Sequence, residues 1–303
     1  MFSAKAKSFA KINLSLNISG VKEGYHMIDS VVASVDIWDT VCVKARRDSL
    51  VNVYMHGKGS EDIPPEKNNA VKAGEAFVAA FGTRGADIDI YKDIPLGAGL
   101  GGSSADAAGV LNALAKLYKV KDRAALKALA DTLGSDTGFM LDGGVARITG
   151  RGERVERLHC PRPLHALLFL PDTPVSTAAC YAKYDENPDP LRADSARLAS
   201  ALERRDFAGV AQNVYNALEK PACALNGDVR EALEAARSFS PAACAVTGSG
   251  SAVFALFESE ELCRWAKSRY KGKIKTRVVT TASKRKAAVR NPFVLSEEEK
   301  LLK

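Results

Sequence analysis

From Lys7 to Ile18 apolar and polar residues partly alternate, the period of a β-strand. Ser30 to Arg46 is rich in β-branched residues: Val31, Val32, Val35, Ile37, Val41 and Val43. Asp36, Asp39 and Thr40 punctuate that run, so it predicts two strands and a turn. Leu50 to Met55 and Ala86 to Tyr91 predict further short strands. Between them Val71, Ala73, Ala76, Phe77 and Ala80 share one face, which predicts a helix over 69–81. Ala- and Leu-rich sequence predicts helices over 103–118 and 122–133, and strand patterns follow at 145–149, 154–158 and 165–170. Later helical patterns cover 177–184, 191–202, 206–218, 228–238 and 260–270, with strands at 242–246, 252–257 and 275–281. Regular βαβ alternation is missing, so the pattern predicts an α+β fold with two lobes rather than a doubly wound sheet. The chain divides near Pro161 to Pro163, into a first lobe (1–160), a second (161–283) and a tail (284–303).

Composition excludes some classes. The 303 residues are 46% hydrophobic and 26% charged, too apolar for disorder over the whole chain. No uncharged apolar run reaches the roughly 18 residues that a spanning helix needs. Lys11 interrupts the apolar stretch behind Lys5 and Lys7, so a secretory leader is not expected, and a cytoplasmic protein without a membrane partner is. The six cysteines, from Cys42 to Cys263, form no CxxC pair and read as reduced core thiols rather than a zinc or redox centre. With four separated histidines, no protein-bound metal cluster is expected either. The formal net charge is +7, and the tail from Lys284 carries six basic residues against three acidic ones. Such a basic end is expected to be flexible and solvated, not a nucleic-acid arm. The remaining positive charge suits an anionic small substrate as well as nucleic acid. The sequence offers no reading of oligomeric state.

The strongest local chemistry is Pro95-Leu96-Gly97-Ala98-Gly99-Leu100-Gly101-Gly102-Ser103-Ser104-Ala105. Four glycines let the backbone fold tightly and approach a ligand, and a helix N-terminus follows with unpaired N–H groups. Together these make an anion cradle suited to a nucleotide phosphate. Ser103 or Ser104 can cap the helix, bind phosphate or hold magnesium. No Gly-Lys-Ser/Thr ends the loop, so it is not a Walker loop, and no acidic residue closes a second strand as in a dinucleotide fingerprint. Thr247-Gly248-Ser249-Gly250-Ser251 lies between two strand patterns and reads either as a hairpin or as a second loop over the same phosphates. Lys11, inside the first strand, reads locally as a solvent-facing side chain, and Asp136 as a turn cap.

Ala10-Lys11-Ile12-Asn13-Leu14, Pro95 to Ala108 and Thr247 to Ala252 occur in the order of three motifs of the GHMP family of small-molecule kinases, which the chain resembles over nearly its whole length. Gly24-Tyr25-His26, Gly134-Ser135-Asp136 and Gly150-Arg151-Gly152-Glu153 match the branch of that family acting on a cytidine-diphosphate ester of a sugar alcohol. The resemblance implies a two-lobed fold with the active site in the cleft between lobes, ATP as phosphoryl donor and Mg2+ as cofactor. It implies that Asp136 takes the proton of the attacking hydroxyl and Lys11 stabilises charge on the transferred group. It places Pro95 to Ala105 on ATP, with Asn68 and Lys92 near the adenine. It places Tyr25, His26, Asn13, Tyr181, Gly248, Ser249 and Gly250 on the substrate, with Tyr25 and Tyr181 stacking on the pyrimidine. As a lone residue at helical spacing, Tyr181 reads equally well as core.

The chain departs from the family pattern at several positions. Ser103 stands where the family has glycine, Ala105 where it has serine, Gly138 where it has proline, and Asn69 where an apolar residue is usual. Two other readings remain open: a kinase of the same family acting on homoserine, mevalonate or a sugar, and a non-catalytic nucleotide- or RNA-binding protein. The Gly24-Tyr25-His26 element argues against the first, and the presence of both Lys11 and Asp136 against the second.

Overall fold

The computed structural model describes residues 2–57, 59–60, 63–189 and 193–282. The first part of the chain runs β1 (Ser3–Lys22), β2 (Tyr25–Ala45), β3 (Val51–His56), α1 (Asn69–Phe81), β4 (Ala86–Tyr91), α2 (Gly102–Tyr118), α3 (Arg123–Leu133), α4 (Thr137–Met140), β5 (Val145–Gly150) and β6 (Arg154–Arg157). It continues with β7 (His165–Leu170), α5 (Thr177–Glu186), α6 (Ser195–Glu203), α7 (Phe207–Gln212), β8 (Tyr215–Asn216), α8 (Glu219–Leu225), α9 (Gly227–Arg237), β9 (Ala243–Val246), β10 (Val253–Phe257), α10 (Glu260–Arg269) and β11 (Lys275–Thr280). The main path of the first sheet is β3-β4-β2-β1-β8, with β5 paired to β2 and β6 to β5. The second is an antiparallel sheet in the order β11-β7-β10-β9. This is the two-lobed α+β architecture expected. The 284–303 tail lies outside the described residues.

β1 explains how a lysine comes to be buried in a strand. From Ala10 to Ile18 every residue is buried, on both faces. Ile12 and Leu14 join the larger core, and Leu16 and Ile18 join the core of the second lobe. Lys11, Asn13, Ser15 and Asn17 form the other face, and the second lobe covers much of it. Asn17 bonds to the Ala193 carbonyl, and the Asn13 N–H donates to Thr247 Oγ1 at 3.0 Å. The β1–β2 ladder shifts register between Phe9 and Lys11 and again between Asn13 and Ser15. Such irregularities re-aim side chains, and these two flank the lysine and the asparagine.

The predicted turn within 30–46 does not exist: β2 is one continuous strand of 21 residues. Its aspartates are anchors. Asp39 is fully buried, and its carboxylate accepts from the N–H groups of Asp93 (2.6 Å) and Ile94 (2.9 Å). Asp36 accepts from the Thr280 N–H at 2.8 Å and ties β2 to β11. The helix expected over 206–218 stops at Gln212, because Tyr215 and Asn216 pair in parallel with Ser15 and Leu16 of β1. α2 is buried on most sides through its alanines, and at Gly109 a side-chain carbon would press within 2.6 Å of Val41 Cγ2.

Candidate active site

The two glycine loops meet. Gly99 has φ +72°, and a side-chain carbon there would collide with the Thr247 carbonyl oxygen. The Ala252 N–H donates to the Ala98 carbonyl at 3.0 Å, and Asn216 Nδ2 donates to the carbonyls of Val246 (2.7 Å) and Gly248 (2.8 Å). Gly101, at φ +77°, precedes α2, no side chain caps the helix, and Gly101 to Ser104 line the cleft, which leaves the first N–H groups of the helix available there. Under the loop, the Lys11 N–H donates to the Leu100 carbonyl at 3.0 Å.

Lys11 Nζ lies 3.4 Å from Asp136 Oδ2 and donates to Asn13 Oδ1 at 2.7 Å. Asn13 Nδ2 in turn donates to Ser30 Oγ at 2.9 Å. Asp136 occupies the position before α4 without capping it, so its carboxylate is left to face Lys11. The lysine side chain is 6% exposed and the aspartate 24%, so the pair is sheltered but reachable. At Gly138, which departs from the proline of the family pattern, a side-chain carbon would strike the Asp131 carboxylate.

On the other wall, His26 Nε2 is 2.8 Å from Asp185 Oδ1, and the His26 and Tyr181 rings lie 4.5 Å apart, tilted by 31°. Burial, with the Asp136 carboxylate adding, pushes the Tyr181 hydroxyl up to about 12, so it stays protonated. Tyr25 is 56% exposed. Ser249 and Thr177 share a 2.9 Å hydrogen bond between the second glycine loop and α5.

One cleft of about 880 Å³ is lined by Lys11, Asn13, Tyr25, His26, Asn68, Pro95 to Ser104, Asp136, Tyr181 and Gly248 to Gly250. A separate groove of about 910 Å³, lined in part by Lys7, Trp38 and Arg277, holds none of these residues. Lys92 and Ala105, expected on the nucleotide, lie behind the lining. Ala105 is buried, and its carbonyl accepts from the Ser8 hydroxyl. Lys92 Nζ sits 2.5 Å from both Asp39 Oδ2 and Asp106 Oδ2. Asn68 caps α1 by accepting from the Ala70 N–H at 2.9 Å. Sequence reasoning missed Asp185, although it stands one helical turn after Tyr181 on α5, the spacing that puts two side chains on one face. It also left Arg151, Ser135 and Thr177 of the cleft lining without a role.

The buried Lys92 triad has a measurable consequence. Two carboxylates share one ammonium, leaving a net negative charge out of water. Burial pushes the Asp106 carboxyl up to about 7, with Lys92 opposing and Asp39 reinforcing the rise. The folded chain therefore holds a proton that the unfolded chain, titrating near its ordinary value of about 4, releases. Between roughly pH 4 and 7 this group's contribution to stability falls as pH rises. Urea unfolding is expected to show Asp106→Asn gaining stability relative to the parent at pH 8 compared with pH 5. An identical difference at both pH values would contradict the assignment.

The profile for the N-terminal domain of GHMP kinases matches residues 68–146, and that for the C-terminal domain matches 198–264. A 4-diphosphocytidyl-2-C-methyl-D-erythritol kinase of Pelotomaculum thermopropionicum is 38% identical over 86% of this chain and 92% of its own length. The crystal structure of a 4-(cytidine 5'-diphospho)-2C-methyl-D-erythritol kinase superposes with a TM-score of 0.76 at 31% identity, covering 92% of this chain and 99% of that one. A homoserine kinase from Cytophaga hutchinsonii shares the fold at a TM-score of 0.72 and 20% identity, covering 93% of this chain and 95% of that one. With both domains of the family matched in order and a relative above one-third identity over nearly all its length, the chain belongs to the GHMP kinase family.

Proposed function

We propose that the chain transfers the γ-phosphoryl group of ATP to the 2-hydroxyl of 4-diphosphocytidyl-2-C-methyl-D-erythritol, a step of non-mevalonate isoprenoid precursor synthesis. The observation that carries the reading is the 3.4 Å approach of Lys11 to Asp136 in a cleft with a phosphate loop on one wall and aromatic rings on the other. Phosphoryl transfer asks mainly for positioning and charge stabilisation. Asp136 accepts the proton of the acceptor hydroxyl as its oxygen attacks phosphorus. Lys11, aimed by Asn13, stabilises charge on the transferred group. The N–H groups at the start of α2 hold the phosphates.

Mg2+ fits the donor set without a dedicated cage. Among the described residues no three His, Cys, Asp or Glu side chains form a metal cluster. Mg2+ in kinases is held largely by substrate phosphates and water, and the hydroxyls of Ser103 or Ser104 would add a hard oxygen. Bound there, it would neutralise charge on the phosphates.

The substrate for which these relatives are named and the Tyr25, His26 and Tyr181 wall support cytidine over homoserine or mevalonate, which offer no base to stack. We take residues 1–160 as the ATP-binding lobe and 161–283 as the second lobe. A cytoplasmic setting fits six free thiols, and among the described residues no helix is long and apolar enough to cross a membrane. Stacking a pyrimidine on an aromatic is worth about 1–3 kcal/mol. Tyr25→Ala is therefore expected to raise KM for the cytidine substrate about 10- to 100-fold and leave KM for ATP unchanged. An unchanged KM for the cytidine substrate would contradict the pyrimidine site.

A further inference from the structure

The Gly150-Arg151-Gly152-Glu153 turn is built to hold its arginine at the cleft, and nothing in the phosphoryl-transfer machinery accounts for it. Gly150 ends β5 at φ +76°, and a side-chain carbon there would strike the Glu153 carboxylate. That carboxylate accepts from the Arg151 N–H at 2.6 Å, which closes the turn. Gly152, at φ +114°, packs so closely on Ser135 that a side-chain carbon would lie 2.6 Å from its carbonyl oxygen. Arg151 is thus fixed between the residue before Asp136 and the aromatic wall. Its guanidinium lies over the Tyr25 ring, 4.8 Å from the centroid.

Three lysine or arginine side chains line the cleft: Lys11, Lys67 and Arg151. Lys11 is committed to Asp136 and Asn13. Lys67 precedes Asn68, at the end of the cleft where the resemblance places the adenine. Arg151 adjoins Tyr25 and makes no ion pair among the described residues. A substrate carrying a diphosphate between its base and its alcohol needs a cation between the ring that stacks the base and the carboxylate that meets the alcohol. Guanidinium suits that task through its planar fork of donors, which matches phosphate oxygens, and through its preference for resting on an aromatic face.

We propose that Arg151 binds the diphosphate of the cytidine substrate, with the Tyr25 ring supporting the guanidinium plane. This rests on the substrate reading above and adds a residue to it. Arg151 makes the site selective for cytidine esters that carry phosphate over the bare nucleoside.

The test compares cytidine, CMP and CDP as ligands of the full chain, with a non-hydrolysable ATP analogue filling the nucleotide site. The parent chain is expected to bind CDP more tightly than cytidine. Arg151→Gln is expected to cut that preference about 10-fold or more, the order expected for a charge-assisted hydrogen bond, with cytidine affinity held within about two-fold. Arg151→Lys is expected to recover part of the preference and to restore a steeper salt dependence. Unchanged affinity for the ATP analogue shows that the variant is folded. Equal losses for cytidine and CDP would overturn the diphosphate role and leave only support of Tyr25. Failure of the parent chain to bind any of the three would overturn the substrate reading, and Arg151's role with it.

Discussion

Asp136→Asn lowers turnover by about a thousand-fold while ATP still binds within a few-fold of the parent; that is the expected result for a positioned proton acceptor. The substitution keeps the size of the side chain and removes its charge. Asp136 does not cap α4, so the helix start loses no hydrogen bond. Lys11 keeps Asn13 Oδ1 as an acceptor at 2.7 Å, so the ammonium is not abandoned in a buried site. The loop that receives ATP is contributed by other residues, Pro95 to Ser104. A turnover assay that follows ADP release, paired with calorimetric titration of an ATP analogue, separates the two effects. Loss of ATP binding together with turnover would indicate a collapsed cleft. Substantial turnover by the variant would remove Asp136 as the base.

Gly99→Ala carries the second large effect, by a different route. Position 99 has φ +72°, which L side chains rarely adopt, and the added carbon would collide with the Thr247 carbonyl oxygen. Gly250 crowds the same place, with its carbonyl oxygen 2.9 Å from where that carbon would stand. The two loops cannot both keep their positions. Either the contact between Ala98 and Ala252 opens or the phosphate loop shifts, and both routes disturb the N–H groups at α2. Misplacing catalytic groups by about 1 Å can cost on the order of 100-fold. The variant is expected to lose ATP affinity by at least that factor, and its melting temperature is expected to fall. Native ATP affinity at Gly99→Ala would show that the loops do not depend on their mutual contact.

Much of the fold was legible because the residues that form it repeat. The helix over 69–81 and the strand over 86–91 fall where their periodicity places them. Long-range partners were not legible. Asp39 looks like turn punctuation until the N–H groups of Asp93 and Ile94 arrive from 54 and 55 positions away. The end of α7 is set by pairing with β1, a contact that no local window contains. The site divides along the same line. The glycine loop announces itself through composition, whereas Lys11 reads locally as a surface lysine and becomes a cleft residue only once the second lobe covers β1. The family resemblance supplied that step. Lys92 adds what the resemblance does not convey: aligned to the nucleotide, its ammonium is held by Asp39 and by Asp106, of which Asp106 lines the cleft and Lys92 itself does not.

The most direct measurement is a substrate panel with ATP and Mg2+, comparing kcat/KM for 4-diphosphocytidyl-2-C-methyl-D-erythritol, homoserine and mevalonate. A base-stacking wall and a cation for the diphosphate should favour the cytidine ester by on the order of 100-fold or more. Equal or greater efficiency on homoserine or mevalonate would contradict the account.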